Sequence, residues 1–264
     1  MSLRNWLSGV GAAVVLAMTV GACGGEIPTE PTGGGGSGGA GGGSGLCPGS
    51  DETGGSVVLA PSADDTTAVQ TALIEAQSNS TICMCPGSYA FNNRLSLTVP
   101  GVTLRGIGAA REDVVLDFAG QLAGDDGLTV TSDGFTIENM WVKNTPGNGV
   151  VVSGADDATF RNLKVSWDAG SVIDNGAYAV YPVKCNRVVI EDCEVIGASD
   201  AGVYVGQSSQ IIVRNNKVYG NVAGIEIENS DDAEVYGNES YDNTAGILVF
   251  VLPNLEKKDG NRTS

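Results

Sequence analysis

Apolar and polar residues alternate with a period of two from about residue 80 to residue 250, and Gly, Asn and Asp interrupt the alternation at short intervals. Such alternation indicates β-strands with one buried face, and the interrupting residues indicate turns. The stretch DDTTAVQTALIEAQ differs, because its apolar residues share one face of a helix: Val69, Ala72, Leu73 and Ala76. Asp64 or Asp65 can serve as its N-cap. The pattern predicts an all-β chain of short strands with one short helix near its start.

The strand signals are periodic. A glycine that opens an alternating stretch recurs at Gly127, Gly149, Gly176, Gly202, Gly224 and Gly246. A second motif, seen in FTIENMWV and IIVRNNKV, recurs with aligned residues Asn139, Asn162, Asp192, Asn215 and Gly237. The intervals are 22, 27, 26, 22 and 22 residues for the first motif and 23, 30, 23 and 22 for the second. Repeats of this length, built from short strands, predict a parallel β-helix solenoid with one repeat per coil.

Stacking the coils predicts which side chains share a column. The first inward column is predicted to hold Leu128, Val150, Ala177, Val203, Ile225 and Ile247, and the second Ile137, Phe160, Ile190, Val213 and Val235. An outward column alternates in charge through Glu138, Arg161, Glu191 and Arg214. Each exposed ion pair contributes only about 0–1 kcal/mol, so we assign this ladder a structural role. The aligned asparagines are predicted to form an inward ladder of side-chain amides.

These coils, together with the helical stretch and the segment TICMCPGSYAF that follows it, resemble the right-handed parallel β-helix repeat proteins, which are pectate-lyase-like. The resemblance covers roughly residues 60–250 and extends to a group of exported bacterial lipoproteins with no settled activity. It implies a right-handed solenoid whose first coil is capped by the helix. It also implies Ca²⁺ and an Arg or Lys base if the protein is a lyase.

The first 23 residues predict an export signal, because Arg4 precedes an apolar run from Val10 to Val20 that is too short to span a membrane. The ending VGAC resembles the lipobox of bacterial lipoproteins. This resemblance implies cleavage before Cys23 and lipidation of its thiol, with anchoring to the outer membrane. The alternative is an ordinary signal peptide. Residues 24–45 are Gly-rich and predict a flexible tether, which leaves residues 46–264 as the β-helix domain.

The chain carries 31 Asp and Glu against 14 Lys and Arg, a net charge of −17, and it contains no histidine. The acidic balance argues against nucleic acid as a partner and permits cation binding. The lack of histidine excludes His-based acid–base catalysis, Ser-His-Asp triads and His-bearing zinc sites.

Export makes disulfides possible, but the sequence does not fix their pairing. Cys47 could pair with Cys83 or Cys85 at the start of the domain. With Cys23 lipidated, five cysteines remain, so at least one stays unpaired within the chain. The pairing among these five stays open: Cys47, Cys83, Cys85, Cys185 and Cys193.

One outward face is not explained by charge ladders. Two residues after the recurring glycines, the predicted column places Tyr178, Tyr204 and Glu226 on consecutive coils. Tyrosine rings stack on the C–H faces of sugars, and carboxylates and amides bind hydroxyls, so this face predicts a glycan site. The predicted ligand-binding residues are Tyr178, Tyr181, Tyr204, Gln207, Glu226 and Glu228. Asp174 and Asp200 are predicted to stack just before the glycines, where Ca²⁺ or a shared proton would relieve their repulsion.

Several functions fit these residues. The first hypothesis is a surface-anchored lipoprotein that binds a polysaccharide without turning it over. The second is a Ca²⁺-dependent polysaccharide lyase or epimerase, with Asp174 and Asp200 as metal ligands. Its base would be Lys184 and its acid Tyr178 or Tyr204, although a lysine near carboxylates holds its proton, which counts against it. Glycoside hydrolysis is discounted, because GDDG at 124–127 is accompanied by no other polygalacturonase signature.

The last hypothesis is a non-catalytic interaction scaffold. No capping helix or polar final coil follows Phe250, which predicts an open edge that would pair with another exported protein. The segment DGNRTS is typical of the start of another coil, so truncation of a longer chain is the favoured explanation of that edge.

Overall fold

The computed structural model describes residues 23, 55–257 and 262–264. The predicted export signal up to residue 22 and the tether over 24–45 lie outside the described residues. The elements are β1 (Ser56–Leu59), α1 (Asp65–Glu75), β2 (Thr81–Met84), β3 (Gly87–Ala90), β4 (Asn93–Leu97), β5 (Thr103–Gly106), β6 (Val114–Asp117), β7 (Ala123–Val130), β8 (Thr136–Lys143), β9 (Val150–Ser153), β10 (Thr159–Ser166), β11 (Val180–Val183), β12 (Asn186–Glu191), β13 (Glu194–Ile196), β14 (Ala201–Gly206), β15 (Ser209–Arg214), β16 (Lys217–Tyr219), β17 (Ala223–Glu228), β18 (Asp231–Tyr236), β19 (Glu239–Tyr241) and β20 (Ala245–Phe250). No described helix has the length and apolar character needed to cross a membrane.

The strands wind into a parallel β-solenoid of about eight turns, as the repeat predicts. They form a sheet of thirteen strands and a sheet of seven strands, the latter running in the order β4, β7, β9, β11, β14, β17, β20. Side chains that point inward from both sheets make one continuous apolar core, in which Phe160, Ile190 and Val213 are fully buried. Burying this stripe is what drives the coils to stack.

The columns predicted from the second motif are confirmed. Phe160 pairs in register with Ile137 and Ile190, and the column continues through Val213 to Val235. The outward charge ladder is also present. Arg161 donates hydrogen bonds to Glu138 at 3.1 Å and to Glu191 at 2.6 Å.

The predicted helix caps the first coil. Its N-cap is Asp64, whose carboxylate accepts the backbone N–H of Thr67 at 3.1 Å. Val69 and Leu73 are fully buried, so the apolar face of α1 closes the end of the core as expected.

The aligned asparagines do not form an inward ladder. Asn139, Asn162, Asp192 and Asn215 are turn residues with φ between 48° and 57°, a left-handed conformation that Asn and Asp tolerate better than most residues. This turn directs the following residue into the core instead. Asn216 is 1% exposed, accepts the N–H of Cys193 at 2.9 Å and donates to the carbonyl of Ile190 at 2.9 Å. An inward amide pair therefore exists one residue later than predicted, but only on the last two coils, where Asn216 donates to the side chain of Asn238 at 2.9 Å.

The first motif is predicted correctly except on one coil. Val180, and not Ala177, pairs in register with Val150 and Val203. Ala179 therefore takes the place predicted for Gly176, and it lies 30 residues after Gly149 and 23 before Gly202. The extra residues belong to a single enlarged coil. The interval of 30 residues in the second motif is consistent with one enlarged coil, because a single inserted loop lengthens the interval by the same amount in both motifs.

The last coil ends at a partly exposed core. Ile247 and Val249 of β20 are 46% and 45% exposed, and no described strand pairs with the far side of β20. Thr263 forms a parallel bridge with Ala233 of β18.

Candidate functional site

Three tyrosines pack together on the outward face of the seven-stranded sheet. Tyr181 on β11 and Tyr204 on β14 are neighbours on adjacent coils, and Tyr178 lies just before β11. The ring centroids are 4.5 Å apart for Tyr178 and Tyr204, 4.7 Å for Tyr178 and Tyr181, and 5.0 Å for Tyr181 and Tyr204. The rings are tilted or edge-on, which are favourable arrangements for aromatic pairs. We call these three residues the tyrosine cluster.

Tyr178 joins this cluster through packing and not through the predicted column. The register of the enlarged coil makes Tyr181 the column neighbour of Tyr204. Tyr178 occupies the adjacent column, where the next coils carry Ala201 and Ala223. Since these side chains are small, the phenol ring of Tyr178 can lie over them and reach Tyr204.

Carboxylates adjoin the tyrosines on the next coil. Glu226 of β17 pairs in register with Tyr204, and its side chain is only 8% exposed. Glu228, two residues on, is also buried and accepts a hydrogen bond from the Tyr204 hydroxyl. Asp200, which is half-buried just before β14, lies close enough to the hydroxyl of Tyr178 to contribute to its raised pKa. The structure thus unites most of the predicted ligand-binding residues.

The electrostatics of this face are those of a crowded acidic site. Burial, reinforced by the negative charges of Asp200 and Glu228, raises the pKa of Glu226 from 4.5 to about 7. Burial also raises the pKa of the Tyr178 hydroxyl, with Asp200 adding to the effect, and that of the Tyr204 hydroxyl, with Glu228 adding to it. At neutral pH the tyrosines are therefore hydrogen-bond donors, and Glu226 is partly protonated.

Asp126 belongs to the same face and was missed as a ligand-binding residue. Its carboxylate accepts a hydrogen bond from the Asn148 side chain at 2.8 Å, and Asn148 in turn accepts the backbone N–H of Tyr178 at 3.1 Å. The charge of Asp126 contributes to the raised pKa of Tyr181. With the enlarged coil placed correctly, the residues one before each recurring position form a column in which Asp126 and Asn148 precede Tyr178. This column would have predicted Asp126 as part of the face.

Two predicted residues contact the C-terminal segment instead. The ammonium group of Lys184 lies 2.7 Å from the Glu256 carboxylate. The side-chain oxygen of Gln207 accepts the N–H of Lys257 at 3.4 Å. In the described part of the chain these are the polar contacts of both side chains, so the structure does not place Lys184 as a base beside the tyrosine cluster.

The predicted Ca²⁺ pair is not formed. Asp200 donates its backbone N–H to the carbonyl of Ala177 at 3.1 Å, so Ala177 and not Asp174 is its neighbour on the preceding coil. Asp174 is exposed in the loop of the enlarged coil. The residues that the structure describes contain no group of three or more His, Cys, Asp or Glu side chains placed to hold a metal ion. The carboxylates present therefore do not fit a calcium centre.

The described cysteines divide into disulfide-bonded and free residues. Cys23 is joined to Cys85 by a disulfide, with their Cα atoms 5.7 Å apart. A sulfur atom in a disulfide cannot also carry a lipid thioether, so this bond and the predicted lipidation of Cys23 are mutually exclusive. The bond also rules out, in this structure, the pairing of Cys85 with Cys47. Cys185 and Cys193 are free and buried.

Residues 126–259 match the family model described as right handed beta helix region, and the chain belongs to that family. Solved structures of similar fold include the alginate lyase from Paenibacillus sp. str. FPU-7, which is 14% identical, with 74% of each chain covered and a TM-score of 0.45. The pectate lyase Pel9A is 15% identical, with 74% of this chain and 68% of that chain covered and a TM-score of 0.45. The pectin methylesterase PemA from Erwinia chrysanthemi is 18% identical, with coverage of 70% and 66% and a TM-score of 0.42. No curated protein shows significant sequence similarity.

Proposed function

We propose that this protein binds a polysaccharide at the tyrosine cluster. The observation that carries the proposal is the contact of three tyrosine rings with buried carboxylates on an outward solenoid face. Tyr178 and Tyr181 are half-buried, so each offers ring surface to the C–H face of a sugar. Glu226 and Asp200 supply acceptors for sugar hydroxyls.

Export from the cytoplasm is part of the proposal. A disulfide such as that between Cys23 and Cys85 persists in oxidising compartments. The bond fits an ordinary export signal better than a lipid anchor on Cys23, because it uses the sulfur atom that the lipid would need.

The lyase or epimerase alternative has less support. Both reactions need a base near the sugar and positive charge to stabilise a developing carbanion. Lys184 instead forms an ion pair with Glu256, and the groups that act on Glu226 are carboxylates. A binding function makes neither demand.

The test is a glycan-array screen of the purified full-length protein, comparing it with the double variant Tyr178→Ala/Tyr181→Ala. We expect selective binding that the double variant weakens by about tenfold or more, since each lost aromatic contact costs about 0.5–1.5 kcal/mol beyond its area.

The matched control is Tyr219→Ala/Tyr241→Ala. These two rings stack at 4.9 Å elsewhere on the solenoid, so the control removes the same atoms without touching the tyrosine cluster. Equal losses in both double variants, or no glycan bound by the folded wild type, would overturn the proposal.

A further inference from the structure

The charged groups that raise the pKa values of the three tyrosines have one sign. They are Asp126, Asp200, Glu226 and Glu228. A glycan made of uronic acids would bring further carboxylates into this environment and would be repelled. The net charge of −17 on the whole chain acts in the same direction. These charges would disfavour a polyanionic glycan at this site.

Glu226 is the second and independent observation. Only 8% of the residue is exposed, and among the described residues no hydrogen-bond donor or cation pairs with its carboxyl group. Its outward position lies in register between Tyr204 and Leu248, so it faces the same surface as the tyrosine cluster. The carboxyl oxygens of Glu226 are not among the buried atoms that lack a partner, so they reach the surface of the site. A carboxyl group that is exposed there and has no protein donor is available to accept a hydrogen bond from a ligand.

The tyrosine cluster defines what kind of donor fits. Faces of tyrosine rings attract cations, and the attraction grows when the site is shielded from water. A quaternary ammonium group could use the rings but has no N–H to offer Glu226. A primary ammonium group has three N–H donors and satisfies both the rings and the carboxyl group. A metal ion is disfavoured, because the described carboxylates are not grouped to coordinate one.

We propose that the glycan bound at the tyrosine cluster is a polysaccharide of amino sugars with free amino groups, and that the ammonium group of one sugar binds Glu226 beside Tyr178 and Tyr204. This inference rests on the proposed function and narrows it to one chemical class of ligand. Asp200 accepts a second hydrogen bond from the same sugar or its neighbour. An N-acetylated sugar loses both the charge and two of the donors.

The experiment is isothermal titration calorimetry of the full-length protein at about pH 7, where the Glu226 carboxyl group is partly ionised and an amine with a pKa of about 8 is still largely protonated. The probes are three hexasaccharides: β-1,4-linked glucosamine, the same chain N-acetylated, and galacturonic acid. We expect the glucosamine chain to bind about tenfold or more tightly than the acetylated chain, because a hydrogen bond to a charged group contributes about 1.5–3 kcal/mol. The galacturonate chain should not bind.

Glu226→Gln should remove most of this preference. Because a polycation also binds any acidic protein weakly, the control is Glu234→Gln on the other sheet, which removes the same charge from an exposed position and should leave the preference intact. Equal effects of the two substitutions would show non-specific attraction and overturn the inference.

The outcomes also separate the two proposals. Tighter binding of the acetylated or galacturonate chain, or array hits confined to glycans without amino groups, would overturn this inference and leave the binding function standing. If neither the array nor any hexasaccharide gives binding, the binding function falls and the inference falls with it.

Discussion

Glu226 lies beside Tyr204 in parallel register, one coil further along the solenoid. The residue is mostly buried, and its carboxyl group has no donor among the described residues. A packed apolar residue at this position would stabilise the coil more, as Leu248 does on the next one. Residues that break a local rule of packing without compensation are found preferentially at functional sites. The pair therefore marks a part of the solenoid where coil stacking alone does not explain the residues, as the proposed binding function requires.

Glu226 should make stability fall as pH rises. The pKa of this carboxyl group is about 7 in the folded protein against 4.5 as its ordinary value, so the folded state binds more protons than the unfolded state between these limits. The free energy of unfolding should decrease across this window by roughly 2 kcal/mol, allowing for water at the open side of the site. Urea unfolding at a series of pH values measures the change.

Glu226→Gln should abolish most of that slope and raise stability at neutral pH, because a neutral amide costs less to bury than a carboxylate. Glu234→Gln serves as the exposed comparison and should keep the wild-type slope. A wild-type slope in Glu226→Gln would show that other groups cause the pH dependence.

Among the carboxylates of the charge ladder, Glu191 should contribute most to the stability of the folded protein. Burial alone would raise its pKa, but hydrogen bonds from Arg161 and Arg214 outweigh burial and lower it. Its stabilising effect is therefore present above its ordinary pKa and is lost as pH falls through the lowered value. We expect Glu191→Gln to destabilise the protein by about 1–3 kcal/mol at neutral pH, measured by urea unfolding.

The matched comparison for Glu191 is Asp157→Asn. Asp157 also pairs with an arginine, Arg187, but both side chains are about half exposed, 53% and 45%. The loss there should stay below about 1 kcal/mol. Equal losses at the two sites would contradict a role for burial in the ladder.

Asn216→Ala should be strongly destabilising. The substitution removes the hydrogen bonds that Asn216 makes to the N–H of Cys193 and to the carbonyl of Ile190. Unsatisfied buried groups cost about 1–3 kcal/mol each, so we expect a total loss of about 2–4 kcal/mol in the free energy of unfolding. Asn93→Ala, at an exposed position, should change it by less than about 0.5 kcal/mol. A small loss at Asn216 would mean that the two backbone groups find other partners.

The disulfide can be checked by mass spectrometry. Digestion of the native protein at glutamate residues, without reduction, should yield the Cys23 peptide linked to the peptide that carries Cys85, and reduction should separate them. The peptides containing Cys185 and Cys193 should be unlinked in both digests, because these thiols are free and buried. A lipid on Cys23 together with a free Cys85 thiol would contradict the bond and restore the lipoprotein hypothesis.

The sequence by itself determined the solenoid. The period of two within each strand predicts which side chains are buried. The period of about 22 residues predicts which strands stack, because in a parallel β-helix each coil contacts only its neighbours. The register of the second motif was therefore readable from Ile137 to Val235. The helix cap was equally local, since an Asp N-cap and an apolar face are properties of consecutive residues.

Only the tertiary structure decided the site. The sequence did not reveal the column of Tyr181, because Gly176 matches the spacing of the recurring glycines. In the structure Ala179, and not Gly176, lies in register with Gly149 and Gly202. The packing of Tyr178 over Ala201 follows from residue size across coils and not from any periodicity. The burial of Glu226, and so its raised pKa, depends on what surrounds it in space. Periodicity fixes which face a residue is on, whereas contacts, burial and charge on that face arise from residues far apart in the chain.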